Sequence, residues 1–372
     1  MVRLGIGKSK EASIPDDVDW RVVKALADRQ GLSAVVLDGI EVLRSSHVGN
    51  LNHDQVMLLE WIGEVMQGYE QRYIQYERTI GEMADFYNRY GLKMMVLKGY
   101  ACSLNWPRPE HRPCGDIDIW LFGRYREADK WVAKEKGLKI DSSHHHHTVF
   151  YWGEWMVENH YDFLNVHYGH KNDKIEKILK SLGTFEVESS ELKVESHLKG
   201  CSDAGCRIPC VEVEGERVYL PSANLHALFL LRHMLHNFTS TGMNLRQLLD
   251  WAFLVERHGK EIDWQWLTGV LEEYHMTEFV HCIVSIAVDD LGFSSTIFPS
   301  VERNPALKGR VLNDILSPEF SEDTPQKFLP RMIFKYRRWQ ANAWKQNLCY
   351  DDSRFKAFWQ GVWGHLLKPG MV

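Results

Sequence analysis

Gly115-Asp116-Ile117-Asp118-Ile119-Trp120-Leu121-Phe122 alternates polar and apolar side chains at its start, the period of a β-strand with one face toward a core. Residues i and i+2 of a strand share a face, so Asp116 and Asp118 project together while Ile117 and Ile119 point to the other side. Two carboxylates aimed the same way repel each other unless cations neutralise them. Asp is depleted in strands, so a pair in so apolar a frame argues for a purpose. Hard divalent cations with oxygen ligands, Mg²⁺ above all, are their natural partners.

Working upstream, residues 92–97 (Leu-Lys-Met-Met-Val-Leu) are an apolar run of strand length, followed by Lys98-Gly99 and one or two helical turns over 99–105. A Lys-Gly pair between a strand and a helix offers free backbone N–H groups, a close backbone approach and a point charge to phosphate oxygens. Arg112, in the proline-rich loop 107–113, could reach the same phosphates bidentately. Downstream, residues 125–136 have helical periodicity closed by Gly137. Short strands are expected at 139–140, 148–152 and 155–163. In the last of these, alternation places Glu158, His160 and Asp162 on one face. Glu158 is the third carboxylate expected at the metal, as ligand or as base, and His160 a hydrogen-bonding partner for a ligand or a phosphate.

Around this α/β centre the chain reads as helix. Residues 1 to about 90 carry apolar helical periodicity, with a start signal at Pro15-Asp16-Asp17 and a long continuous pattern from Asn52 through Phe86 to Gly91. A helix is expected at 173–182 and strands near 185–187 and 211–213. Further helices follow Ser222, an N-cap residue, and cover 246–257, 264–274 and 278–291. From Thr324 onward nine Lys and Arg stand against Asp351 and Asp352, interleaved with Trp339, Trp344, Trp359 and Trp363. Such a stretch suits either a phosphate-bearing surface or a helix pair that buries its tryptophans, and buried tryptophans are the commoner arrangement.

Length and composition bound the rest. At 372 residues, with 44 Lys+Arg against 50 Asp+Glu, the chain has a net charge of −6, which gives no support to general nucleic-acid binding. About 150 residues per domain suggests two to three domains. No apolar run approaches the roughly 20 residues of a membrane span, and the N-terminus lacks a signal-peptide apolar region. Seven scattered cysteines argue for reduced thiols and a cytoplasmic setting.

Four other patterns carry less weight. His144 to His147 suit a solvated loop, a polar contact near the acceptor site or a metal ligand, but successive strand or loop histidines point different ways and cannot all bind one ion. Cys201, Cys206 and Cys210 lack a fourth zinc ligand at suitable spacing. His160-x-Asp162-x-x-Asn165 places its asparagine two residues too early for a kinase catalytic loop. His226, His233, His236 and the i,i+4 pair Arg246/Asp250 suit structural pairing, or a helical region supplying His233, His236 or Arg246 to a nucleotide, with Asp250 orienting Arg246.

The order strand, Leu97-Lys98-Gly99, helix, Arg112, Gly115-Asp116-Ile117-Asp118-Ile119, helix, then Val157-Glu158-Asn159-His160 resembles the uncharacterised bacterial nucleotidyltransferases of the DNA polymerase β-like superfamily. The resemblance covers residues 92–165 and, more weakly, 222–258. It implies an α+β protein: a polymerase β-like core with a mixed sheet at 75–220, N-terminal helices at 1–74 and a C-terminal helical domain at 221–372. It also implies an enzyme with Mg²⁺ as cofactor, two ions held by Asp116, Asp118 and Glu158. An NTP would lie with its phosphates over Gly99, contacted by Lys98, Arg112 and His160. Gly99 is followed by Tyr100, so the serine contact usual at that turn is missing and phosphate binding leans on Lys98, Arg112 and backbone amides. The implied reaction is transfer of NMP from the NTP to a hydroxyl acceptor (small molecule, sugar or protein) with release of pyrophosphate. Nucleic acid and membrane are not expected partners. Two other readings of the same fold are a non-catalytic nucleotide-binding or regulatory module, and an RNA-modifying enzyme using the basic C-terminal stretch.

Overall fold

The computed structural model describes residues 1–15, 17–45, 55–166, 171–184, 208–318, 325 and 327–351. The protein is α+β and mostly helical. Its strands β1 (Met95–Val96), β2 (Ile117–Trp120), β3 (His147–Trp152), β4 (Trp155–His160), β5 (Cys210–Val213) and β6 (Glu216–Tyr219) form one mixed sheet in the order β3-β4-β2-β1-β6-β5. β2 lies antiparallel to β1 and parallel to β4, and β1 lies parallel to β6. β3–β4 and β5–β6 are antiparallel hairpins, the first turned by Gly153 at φ 60°.

The chain divides into two units. One holds the sheet and comprises the described residues of 71–105 and 114–229. Here helix α5 (Arg72–Arg89) buries Tyr76, Ile80, Met83 and Tyr87 at helical spacing, and α7 (Tyr125–Lys136) adds Ala128 and Val132. They share a core with Ile117, Ile119, Phe150 and Val157, one alternation face of β2, β3 and β4. On that same face Asp129 of α7 accepts hydrogen bonds from Thr148 Oγ1 and, at 2.8 Å, from Asn159 Nδ2. The opposite face therefore carries Asp118, Trp120, His147, Glu158 and His160. Trp120 stacks beside Phe163 with ring centroids 4.6 Å apart, and its Nε1 donates to the Gly183 carbonyl. Helix α8 (Asn172–Leu182) fixes the chain after β4, since its Glu176 accepts the N–H groups of Phe163 and Leu164 at 3.0 and 2.8 Å.

The other unit comprises the described residues of 1–70, 106–113 and 230–354. It holds α1 (Val2–Gly5), α2 (Trp20–Gln30), α3 (Ser33–Ser45) and α4 (Gln55–Val65). It also holds α10 (Leu245–His258), α11 (Trp264–Glu273), α12 (Thr277–Asp289), α13 (Pro305–Leu316), α14 (Phe328–Ala341) and α15 (Ala343–Cys349). Helix α9 (Ala223–Thr239) runs from the first unit into the second, and α6 (Gly99–Ser103) belongs to the sheet unit. Wholly buried Trp61, Trp251, Phe238 and Phe279 lie in the helical unit, and Trp344 meets Phe238 edge-on at 5.6 Å. Lys345 is buried and paired with Asp314 at 2.6 Å, so this part of the basic, aromatic stretch is packing.

Several expectations need correction. The continuous helix expected up to Phe86 is divided by a π-helical turn, Met66–Gln71, between α4 and α5. α2 is capped by Asp19, which accepts from the N–H groups of Arg21 and Val22, and does not start at the Pro15 signal. Residues 139–140 form no strand, although neighbouring Asp141 bridges Val149. α13 and β6 have no counterpart in the sequence reading. Cys210 is disulfide-bonded, against the expectation of reduced thiols throughout, while Cys102, Cys114, Cys282 and Cys349 are free. The helix start at Asn52, the strand at 185–187, Cys201, Cys206, and the basic and aromatic residues after Asp352 lie outside the described residues.

Candidate active site

β2 and β4 run parallel in a register that sets Asp118 directly beside Glu158 and Trp120 beside His160. β3 then sets His147 opposite His160. Strand pairing alone thus gathers a carboxylate from β2, a carboxylate and an imidazole from β4, and an imidazole from β3 on one sheet face. Lys98 arrives from β1, whose ladder to β2 is extended by Leu97 N–H donating to the Asp118 carbonyl at 3.0 Å.

Asp118 is the hub. Its Oδ1 receives the Lys98 ammonium at 2.6 Å and His160 Nε2 at 3.0 Å, and its residue surface is only 1% exposed. Burial would raise its pKa, but the charge of Lys98 and the bonds from His160 and Lys98 outweigh that and hold the carboxyl well below its ordinary range. Lys98 is held well above its own usual value: burial opposes its charge, and Asp118, Asp116 and Glu158 together override burial. His160 also lies 3.4 Å from Glu158 Oε2 and bonds the Asp162 carbonyl through Nδ1 at 3.1 Å. Burial pulls its pKa down, yet hydrogen bonds to Asp118 and Glu158 push it up to about 9. His147, 3.7 Å from Glu158 Oε1, is instead pushed down to about 4 by burial.

Asp116 precedes β2, and the charge of Asp118, followed by burial, raises its pKa. The two carboxylates repel each other, although Asp116 stands just outside β2, where strand alternation does not fix its direction. Its carbonyl accepts the Tyr76 hydroxyl at 2.8 Å. Gly99 has φ 26°, and a Cβ built on it would lie 2.1 Å from the Tyr76 hydroxyl. Glycine is needed here so that Tyr76 can reach Asp116.

The structure therefore brings Lys98, Asp118, Glu158 and His160 into direct contact, with Asp116 and Gly99 beside them in the chain. Arg112 lies in the helical unit. Its Nε and Nη2 fork onto Asp250 at 2.7 and 2.9 Å, and both residues are buried. Trp106 Nε1 donates to the same carboxylate at 2.9 Å. Asp250 is thus bonded by Arg112 and Trp106 and not by the Arg246 suggested by i,i+4 spacing. Asp162, off the end of β4, pairs with Lys180. His226 is buried with Nε2 3.5 Å from Cys102 Sγ, and His233 Nε2 meets Asn237 at 3.2 Å.

Three neighbours of these residues escaped the sequence reading. Tyr76 sits on a helix 40 residues away from Asp116, and nothing local marks it. His146 and His147 had a signal, the histidine run, but strand alternation argued against them. His146 precedes β3, where alternation no longer applies, and one ligand atom from each of His146, His147 and His160 lies within 4.8 Å of the others. Asp118, Glu158 and His160 satisfy the same criterion. Asp118 and Glu158 offer the oxygen ligands that a hard divalent ion prefers, with Lys98 and His160 already neutralising Asp118.

The family model described as "Uncharacterised nucleotidyltransferase" matches residues 16–199 and 203–292, most of the chain and all of this site. The chain belongs to this family. Among solved structures it is similar to an antigenic nucleotidyltransferase-like protein from Paracoccidioides brasiliensis. There the identity is 11% and the TM-score 0.32, over 53% of this chain and 87% of that one, too distant to transfer a residue or a substrate. No curated protein matches the chain. Membership of a nucleotidyltransferase family implies an NTP substrate and a transferase. Among the described residues no helix is long and apolar enough to cross a membrane.

Proposed function

We propose that this member of the family transfers NMP from an NTP to a hydroxyl acceptor on a small molecule, sugar or protein. The acceptor oxygen forms a bond to the α-phosphorus, the bond to the leaving pyrophosphate breaks, and the acceptor proton passes to Glu158 or to solvent. The observation that carries this reading is the parallel register placing Asp118 beside Glu158, with Asp116 two residues before.

The donor set fits Mg²⁺: carboxylate oxygens, concentrated enough that Lys98 and His160 already converge on one of them. Asp116, Asp118 and Glu158 would hold it. When bound, Mg²⁺ supplies charge neutralisation at the transferring phosphoryl group and lowers the pKa of the attacking hydroxyl. Lys98 and His160 hold Asp118 in one orientation, and Lys98 adds a positive charge for the phosphates. Gly99 carries the backbone turn over which those phosphates would lie, and Arg112 serves through the bidentate anchor it forms with Asp250. The cytoplasm remains the proposed setting, and nucleic acid is not a proposed partner.

A second reading, a nucleotide-binding module without turnover, is favoured by two features. Tyr100 stands where the family's relatives at large would place a serine, and Asp118 is neutralised by the protein's own cations. Calorimetric titration of ATP, GTP, CTP and UTP with Mg²⁺, paired with a pyrophosphate-release assay over an acceptor panel, tests both. Metal-dependent binding that Asp116→Asn and Glu158→Gln abolish, together with pyrophosphate release, is the expected result. Binding without release across the panel would favour the second reading, and equal binding in both variants would overturn the site.

A further inference from the structure

The histidines at the open end of β3 and β4 form a second donor set of a different chemistry. His147 is 6% exposed and His160 1%, with ring centroids 5.2 Å apart across the antiparallel pair. His146 completes the group from the turn before β3, its ring 4.3 Å from His147 and 5.5 Å from His160. This turn is tied down, because the His146 carbonyl accepts the N–H groups of both Tyr161 and Asp162, at 3.0 and 3.1 Å. His160 keeps its Nδ1 contact to the Asp162 carbonyl, the outer contact that ligating histidines ordinarily make, and its Nε2, which bonds Asp118 at 3.0 Å, would exchange that carboxylate for the ion. Independently of this clustering, Nδ1 of His147 is buried with no hydrogen-bond partner, a costly arrangement for an imidazole unless something binds it.

We propose that His146, His147 and His160 form a binding site for one divalent transition-metal ion of the zinc type, distinct in chemistry from the carboxylate site and sharing an edge with it. Three imidazole nitrogens favour Zn²⁺ or Co²⁺ and disfavour Mg²⁺, which prefers oxygen. Ligand nitrogens about 2.0–2.1 Å from an ion lie at most about 4.2 Å apart, so the 4.8 Å envelope here closes onto an ion with small side-chain rotations. Three protein ligands leave a fourth position open to water or to an oxygen of a substrate, beside Glu158. The inference does not depend on nucleotidyl transfer. A protein that binds this ion but no Mg²⁺-nucleotide would keep it and lose the proposed function, and the converse would do the reverse.

The test is titration of metal-free, full-length protein with Co²⁺, following its visible ligand-field bands, and competition by Zn²⁺. The expected result is one Co²⁺ per chain, displaced by Zn²⁺ and not by a large excess of Mg²⁺. Affinity should fall at least tenfold in His147→Gln and in His146→Gln, and should be retained in His144→Gln. A wild-type measurement guards against variants that misfold: Zn²⁺ should protect His146, the half-buried member of the three, from modification by diethyl pyrocarbonate. Absence of stoichiometric Co²⁺ binding, unchanged affinity in both triad variants, or no protection by Zn²⁺ would overturn the proposal.

Discussion

The Tyr76 hydroxyl donates to the carbonyl oxygen of Asp116 at 2.8 Å, through space that Gly99 leaves empty. One bond thus links α5 to the start of the carboxylate strand, and the absence of a side chain at residue 99 keeps it intact. Gly99→Ala places a methyl group against that hydroxyl and strains a backbone at φ 26°. A loss of about 1–3 kcal/mol in denaturant stability is expected. Tyr76→Phe removes the clashing atom, so Gly99→Ala should cost less in the Tyr76→Phe background than alone. Strict additivity in that double-mutant cycle would refute the steric account.

Asp118 and Glu158 should separate stability from binding. Asp118→Asn strips the buried partner from Lys98 and His160, so a cost of about 3–5 kcal/mol is expected. Glu158 makes looser contacts, 3.4 and 3.7 Å to the two histidines, with its side chain 16% exposed. Glu158→Gln should cost under about 1 kcal/mol while still abolishing Mg²⁺-dependent nucleotide binding. Urea titrations and calorimetry on both variants make the comparison.

Arg112 and Asp250 should behave as a buried pair. Either single truncation, Arg112→Met or Asp250→Leu, leaves a charge buried and should cost about 3–5 kcal/mol, whereas the double replacement should cost less than the two singles combined. Trp106 also relies on Asp250, so Asp250→Leu should be the worse single change. Independent, additive effects in urea would count against the pair.

His111 should make stability fall as pH rises. It bonds Asp38 at 2.7 Å and Glu70 at 3.1 Å, with Arg108 also beside both carboxylates. Burial lowers its pKa, but the bonds to Asp38 and Glu70 outweigh burial and the opposing charge of Arg108, and the net shift is upward from 6.5. A folded-state value above the unfolded one means the contribution is fully present below the unfolded pKa and is lost as pH climbs through the folded pKa. Wild type should lose stability above pH 6.5 in a way that His111→Asn does not, as read by melting temperature against pH.

The candidate site was legible in the sequence wherever the signal was local. The strands that carry Asp118, Glu158 and His160 show in a period of two, and Lys98-Gly99 in its place between strand and helix. Contacts made by distant pairing left no trace. Nothing in residues 117–120 announces that β2 will lie parallel to β4, and Arg112 finds Asp250 across 138 residues. The histidine run was discounted because successive residues point different ways, and nothing local shows that β3–β4 pairing brings His160 to His146 and His147. Likewise β6, Glu216–Tyr219, is too short and polar at its start to read as a strand, although it supplies β1 with its parallel neighbour.

The placement of Asp118 between wholly buried Ile117 and Ile119 has a consequence for how this chain can change over time. Point substitution at 118 alters chemistry and leaves the strand in step. Loss or gain of one residue between Gly115 and Asp118 would rotate the following side chains to the opposite face, driving a carboxylate into the hydrocarbon interior and an isoleucine toward Glu158 and His160. The spacing of that segment is therefore more tightly constrained than its lettering.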